Sequence, residues 1–323
     1  MALDVKVKID LTRPYAIKLG FGYPLILSVG TAIEYAECTK LAEVETAGFA
    51  ADSDTYKAAA LMLSQKNPPV KIAVCGVAAT SDLGEIKNKP WRQLVTVGLE
   101  AADVTAILTY INQTPDKMYF ATVSKVDGLA ALGTSERVIG FVHADPLAGA
   151  ALAGEAAGHT AGSITYKNLI LTGIEPMTLT DEEIDAIHSA NGITFVTKAG
   201  DNVTTEGKVM SGEYVDIIDS QDYVIQQMEY KTQKVLNTAN KVPYDNNGIA
   251  LLESVAVEVM QDAYNNGIIG NKEDGTPAYE VSYALVESVS DEDKSIRKYL
   301  DGQFNFTLAG AIHEVEVTGE IRV

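Results

Sequence analysis

Residues 212–267 read GEYVDIIDSQDYVIQQMEYKTQKVLNTANKVPYDNNGIALLESVAVEVMQDAYNNG. The spacing predicts a short apolar strand end, a helix, a proline-containing turn and a second helix. Asp219 or Ser220 is the expected N-cap of the first helix, offering an oxygen to an orphan N–H of the first turn. Val224, Met228, Val235 and Ala239, widened by Ile225, Thr232 and Leu236, recur with the helical period. Pro243 lacks a backbone donor and disfavours helix at Val242, so the pattern breaks between Asn240 and Asn247. A second stripe, Ile249, Leu252, Ala256, Val259 and Ala263, stops at Asn266-Gly267, a C-terminal signal. Two amphipathic helices on a short loop are expected to pack together and cover one sheet face.

The preceding 120 residues alternate between strand and helix patterns. Trp91–Val97, Lys117–Val123 and Arg137–His143 read as strands. Helices are expected at Ala101–Ile111, Asp127–Leu132 and Pro146–Ala157, which gives a βαβαβ-like unit with a small parallel sheet. Ile164–Thr172, Ile193–Lys198 and Lys208–Asp216 read as later strands, with a helix at Asp181–Ser189. Nearer the front, Leu25–Thr31 and Val70–Val77 are strands. Asp52 or Ser53 caps a helix over Asp54–Lys66, and Ala36–Phe49 reads as a short helix ending at Gly48. The class is mixed α/β (α+β), without internal repeats.

Length and composition bound the function. With 323 residues, 46% of them hydrophobic and 21% charged, the chain has material for about two cores and does not read as disordered. A net charge of −19 and a pI of about 4.6 argue against nucleic acid or an anionic membrane as the main partner, since both select basic surfaces. Cys38 and Cys75 supply neither a disulfide framework nor a CxxC site, which fits a reducing compartment. MALDVKVKID lacks the apolar core of a signal peptide, and no apolar run reaches membrane-span length.

Catalytic and cofactor motifs find no support. His143, His159, His188 and His313 lie far apart, and His143 with Asp145 and His159 lacks a second ligand pair, so no metal is expected. There is no HExxH, Walker loop, GxSxG or C-x-x-C. Gly20-Phe21-Gly22 lacks a third glycine and a preceding strand. Val97-Gly98-Leu99-Glu100, after the first strand of the βαβαβ unit, has no phosphate-cradling glycine run. No catalytic residue and no cofactor are expected.

The two ends are more telling. Leu3, Val5, Val7 and Ile9 alternate with Asp4, Lys6, Lys8 and Asp10, a half-buried strand. After a strand at Ala278–Val286 and a helix over Ser290–Leu300, the chain ends in two alternating runs. The first is Phe304, Phe306 and Leu308; the second is Ile312 with Val315, Val317, Ile321 and Val323. The polar faces of the ends differ in sign, Lys6 and Lys8 against Glu314, Glu316 and Glu320. Opposite charges on paired strands are worth roughly 0.2–1 kcal/mol each, which favours N-terminal beside C-terminal strand. The residues alone leave open whether these strands fold back or pair with other chains. Within the Ser290–Leu300 helix, Lys294, Arg297 and Lys298 form a basic ridge at i, i+3 and i+4. It reads equally as a solvated helix end or as a contact.

Several of these stretches resemble one family. SGEYVDIIDSQDYV, KVPYDNNGIALLE and LAGAIHEVEVTGEIRV resemble segments of the sheath protein of contractile phage tails and phage-tail-like bacteriocins. So do DSDTYKAAALMLSQKNPPVKIAV, AGSITYKNLILTGIEPMTLTDEEIDAI and NGITFVTKAG, in the same order along the chain. The resemblance covers about two thirds of the sequence and rests on that order.

It implies a sheath-type core with terminal strand arms and an inserted outer α/β domain. The expected division is an N-terminal arm at 1–24, core at 25–90 and 206–302, the inserted domain at 91–205 and a C-terminal arm at 303–323. It implies a helical homopolymer around an inner tail tube that contracts and also meets baseplate and tail-terminator proteins, in a particle assembled in the bacterial cytoplasm. Arm residues Leu3, Val5, Lys6, Val7, Lys8, Ile9, Glu314, Val315, Glu316, Val317, Glu320 and Ile321 are expected to join neighbouring subunits. Lys294, Arg297 and Lys298 are the candidates for tube attachment. The rival readings are another tail structural protein, such as a tube or terminator subunit, and a Rossmann-like enzyme.

Overall fold

An eight-stranded sheet, in the order β2-β3-β1-β4-β5-β6-β7-β8, organises the first of two units, Met1–Val242 and Pro243–Val323. The structure is a computed structural model that describes residues 22–313 together with 315, 316 and 319. β1 (Tyr23–Val29) leads into β2 (Ile33–Cys38), then α1 (Leu41–Thr46), α2 (Asp54–Leu63) and β3 (Ile72–Val77). β4 (Trp91–Val97), α3 (Ala101–Asn112), β5 (Met118–Val123) and β6 (Val138–Val142) follow. α4 (Ala148–Ala157), α5 (Asp181–Ser189), β7 (Gly192–Lys198), β8 (Asp201–Thr204) and the long α6 (Val215–Thr238) complete the unit.

The six inner strands are parallel; β2 and β8 run antiparallel at the edges. Every residue of β3 and of β6 is buried, as a parallel sheet covered on both faces requires. One face packs Ile26, Val74, Phe120, Phe141 and Phe195 against Met62, Leu152 and Ile218. The other packs Leu27, Leu94, Tyr119 and Val138 against Ile107, Ile111 and Leu129. α4, AGAALAGEAA, is buried throughout almost its whole length, and its small residues let it lie directly on α2. A Cβ built at Gly154 would lie 2.6 Å from Met62 Cα, so only glycine permits that approach.

The second unit contains α7 (Asn246–Asn265), β9 (Tyr279–Tyr283), α8 (Asp291–Ser295) and β10 (Gly302–Phe306). Asp245 caps α7, its Oδ1 accepting from the N–H groups of Asn247 and Gly248 at 2.9 and 3.0 Å. α7 buries Ile249, Val255, Ala256, Val259, Met260 and Ala263.

Several expectations are corrected. The sheet is larger than the small parallel sheet expected, and the boundary expected at residues 90 and 91 runs through its middle. β1 hydrogen-bonds to both β3 and β4, so residues 25–90 and 91–205 share one sheet and the observed division falls at Val242–Pro243. Residues 36–49 split into the end of β2 and α1. Ile164–Thr172 is not a strand: Asn168 has φ 65°, and the segment ties to Thr204 through Asn168 N–H and Leu169 O instead. Lys208–Asp216 is not a strand either, because α6 begins at Val215 with Tyr214 as N-cap. Asp219 and Ser220 therefore lie inside α6 and are buried, and neither caps it.

Candidate assembly surface

The surface features that the fold of the second unit leaves exposed begin with its small sheet. β9 and β10 form a two-stranded antiparallel sheet, with Gly302 opposite Tyr283 and Phe306 opposite Tyr279. The Phe304 part of the expected C-terminal arm thus pairs within its own chain, and Leu308 bridges to Ile269. The bonds Ala284 N–H to Asp301 O (3.2 Å) and Thr307 N–H to Ala278 O (2.9 Å) bracket the ladder. Antiparallel pairs alternate, so the backbone polar groups of Val281 on β9 and of Phe304 on β10 face outward. Among the described residues, no further strand pairs with either outer edge. A two-stranded sheet with both edges open is an incomplete one.

The sheet has one polar face, formed by Glu280, Ser282, Gln303 and Asn305. Tyr279, Val281, Tyr283, Phe304 and Phe306 on the other face are half-buried, with Tyr279 Oη donating to Gln261 Oε1 of α7 at 3.1 Å. Tyr283 and Tyr299 stack at 5.7 Å, and burial, with Asp301 next, pushes the Tyr299 hydroxyl up to about 12. Tyr299 Oη donates to Ala284 O at 2.9 Å. Leu285, Ile296 and Leu300 are all exposed, Leu300 to 68%. Beyond β10, Ile312 is 85% exposed and Val315 78%.

The basic residues take a different form from the one expected. Ser290 does cap a helix, its Oγ accepting from Asp293 N–H at 3.1 Å, but α8 ends at Ser295. Arg297 has φ 57°, and Lys298 N–H donates to Asp293 O at 2.9 Å, which closes the turn. Lys294, Arg297 and Lys298 are therefore not a helical ridge. Lys294 lies 3.5 Å from Asp291, while Arg297 and Lys298 are exposed on the turn. Leu3, Val5, Lys6, Val7, Lys8 and Ile9 lie outside the described residues, as do Glu314, Val317, Glu320 and Ile321. Val315 and Glu316 are exposed and belong to no strand.

At the start of α3, after β4, Glu100 is the N-cap residue and Asp103 Oδ2 accepts its N–H at 3.4 Å. Carboxylates thus stand where a bound phosphate would need free amides. His143 is buried and uses both ring nitrogens, Nε2 with Glu175 O at 2.9 Å and Nδ1 accepting from Asp145 N–H at 3.0 Å. Among the described residues, no three His, Cys, Asp or Glu side chains are grouped to hold a metal. Among the described residues, no helix is long and apolar enough to cross a membrane either.

What sequence reading missed is a buried ionic cluster. Arg92 on β4 donates to Asp219 and, at 2.9 Å, to Asp222, both on α6. Arg137, just before β6, forks Asp222, and Tyr166 Oη donates to Asp219 Oδ2 at 3.0 Å. A charged Arg92 inside the strand pattern WRQLVTV, with two aspartates three residues apart, was the available signal.

No protein-family model and no curated protein sequence matches the chain. Solved structures do. A chain of the anti-feeding prophage baseplate matches with a TM-score of 0.73 at 12% identity, covering 99% of this chain and 98% of that one. The helical sheath of the anti-feeding prophage in its contracted state matches at 0.71 and 12%, covering 98% of each chain. The fold is that of a contractile sheath protein. The contracted sheath complex of the extracellular contractile injection system PVC matches at 0.70 and 11%, over 99% and 98% of the two chains. Both units of this chain therefore fall within the sheath fold, since the match runs over nearly the full length of each partner.

Proposed function

We propose that this chain is the structural subunit of a contractile sheath. It polymerises helically around an inner tube and shortens to drive that tube through a cell envelope. The observation that carries the reading is the end-to-end match to sheath chains, 98% of each chain in the contracted anti-feeding prophage sheath. The open-edged sheet of β9 and β10 adds to it, because a polymer of such units gains backbone bonds by supplying the missing strands. Residues 3–9 and 314–321 of neighbouring subunits are the donors in this reading. Lys6 and Lys8 are opposite in charge to Glu314, Glu316 and Glu320.

The mechanism is mechanical. Subunits assemble in an extended lattice of higher free energy and relax into a wider, shorter lattice with more buried contact, without nucleotide or metal. The tube, a baseplate and a terminator are its partners, and the tail of a phage or bacteriocin-like particle assembled in the cytoplasm is its place. Arg297 and Lys298, exposed on an acidic unit, are the proposed tube contacts together with Lys294.

Negative-stain microscopy of the purified protein tests the reading. Wide-lumen tubes with a helical lattice are expected. Narrow smooth tubes or rings point to a tube or terminator subunit instead, and discrete particles that bind a nucleotide point to an enzyme.

A further inference from the structure

Residues 285–300, which carry α8 and the turn with Arg297 and Lys298, form a loop whose ends meet. Ala284 N–H donates to Asp301 O at 3.2 Å, just beyond the last register pair of β9 and β10, Tyr283 with Gly302. Val289 is the only buried residue of the loop. Tyr299, stacked on Tyr283, fastens its C-terminal end. Leu285, Ile296 and Leu300 are exposed, so apolar burial does little to orient the part between.

Polar ties from the start of α7 supply what burial does not. Tyr244 Oη donates to Lys298 O at 2.6 Å, 54 positions away. Lys298 N–H is itself bonded to Asp293 O at 2.9 Å, so a hold on the Lys298 carbonyl holds α8 and the turn together. Burial, with Asp293 and Asp301 next, pushes the Tyr244 hydroxyl up, which keeps it a donor. Asn246 takes the other end of the loop. Its Oδ1 accepts from Val286 N–H at 2.8 Å, and its Nδ2 donates to the Glu287 carboxylate at 3.1 and 3.2 Å. Asp245, between the two, caps α7. A Cβ built at Gly248 would lie 1.9 Å from Pro243 O, so only glycine lets the chain turn this tightly into the helix. Three consecutive residues thus serve the loop's end, the helix and the loop's start.

We infer that Tyr244 and Asn246 are positioning residues: they clasp the loop of residues 285–300 so that Arg297 and Lys298 are presented in one arrangement. What the loop meets rests on the assembly reading above, in which these cations touch the tube. The clasp itself rests on the hydrogen bonds alone.

Limited trypsin digestion of the unassembled full-length chain reads the clasp, because cleavage after Arg297 or Lys298 requires the loop to open. Tyr244→Phe, which deletes only the hydroxyl, is expected to speed cleavage at these two bonds roughly 2- to 10-fold, and Tyr244→Phe/Asn246→Ala to speed it further. Cleavage elsewhere and the thermal midpoint stay as in wild type. Unchanged cleavage after Arg297 and Lys298 in both variants overturns the inference, and so does cleavage that speeds equally along the whole chain. If the double variant does not fold, Tyr244→Phe alone is judged by the same results. Co-sedimentation with isolated tail tubes of the same particle reads the presentation. The double variant is expected to bind them more weakly, by a factor similar to its gain in cleavage. Binding equal to wild type, where Arg297→Glu/Lys298→Glu binds weakly, overturns the positioning role. If Arg297→Glu/Lys298→Glu binds as wild type does, the tube reading fails by itself, and the clasp stands or falls on the cleavage rates.

Discussion

Arg137 and Asp222, 85 residues apart in sequence, meet as a two-pronged fork. Nη2 donates to Oδ1 at 3.0 Å while Nη1 donates to Oδ2. Asp222 also accepts from Arg92, so one carboxylate serves two guanidinium groups. Asp222→Ala leaves both buried cations short of a counter-charge and is expected to cost about 3–5 kcal/mol. Denaturant midpoints read this. A loss under about 1 kcal/mol contradicts the arrangement.

Glu155 of α4 makes the second buried polar tie, and it is pH-dependent. Burial raises its pKa, but the Asn67 side chain (2.6 Å) and N–H (3.0 Å) and His159 outweigh that and leave it below the usual carboxylate range. A lowered folded pKa stabilises at pH values above the unfolded one and loses that contribution as pH falls through the folded one. Glu155→Gln is therefore expected to lower the thermal midpoint at pH 7, by about 1.5–3 kcal/mol in stability terms. The difference from wild type should shrink below about pH 4. A gap that stays constant into acid rules this out.

Gly154 marks the closest approach of α4 to α2. Gly154→Ala must push Met62 backbone away and is expected to destabilise by about 1–3 kcal/mol, although alanine favours helix. Chemical denaturation checks the sign; a stabilised variant shows that α4 sits further from α2.

The second unit concentrates charge. From Pro243 to Val323, 15 Asp and Glu stand against 5 Lys and Arg, a net −10 of the chain's −19. Copies brought together through these units repel. Assembly is expected to strengthen as salt rises from 10 to 150 mM and the Debye length falls from about 30 to about 8 Å. Sedimentable polymer measured across that range reads the effect. Less polymer at the higher salt shows that attraction between unlike charges controls the contact.

Arg297 and Lys298 have exposed side chains on a turn, so Arg297→Glu/Lys298→Glu is expected to leave the thermal midpoint within about 0.5 kcal/mol of wild type. The proposed role predicts loss of co-assembly with tube in pull-down and microscopy. Normal decoration of the tube by this variant removes both residues from the contact.

The hydrophobic period located most elements, and it worked where one signal stood alone. Ser53, one of the two caps expected, caps α2, Trp91–Val97 is β4, and Asp181–Ser189 is α5. It failed where tertiary partners override local pattern. Asp219 resembles a cap but is held inside α6 by Arg92, a residue 127 positions away. Ile164–Thr172 alternates like a strand but bends at Asn168 to follow β8. The extent of the sheet was also illegible, because the period describes each strand and not its neighbours: nothing local tells that β1 lies between β3 and β4. The basic ridge dissolved because α8 stops after Ser295, and Ile296, Arg297 and Lys298 continue as a turn. At the proposed assembly surface, alternation gave both β9 and β10 but not their pairing, which spans the α8 excursion.

The most direct test is microscopy of two preparations under identical conditions, the whole chain and one lacking residues 1–10 and 314–323. If subunits are joined by strands lent to the open edges of β9 and β10, the whole chain forms wide helical tubes. The shortened chain then stays dispersed while its first unit keeps its thermal midpoint. Tubes of the same lattice from the shortened chain would contradict the account.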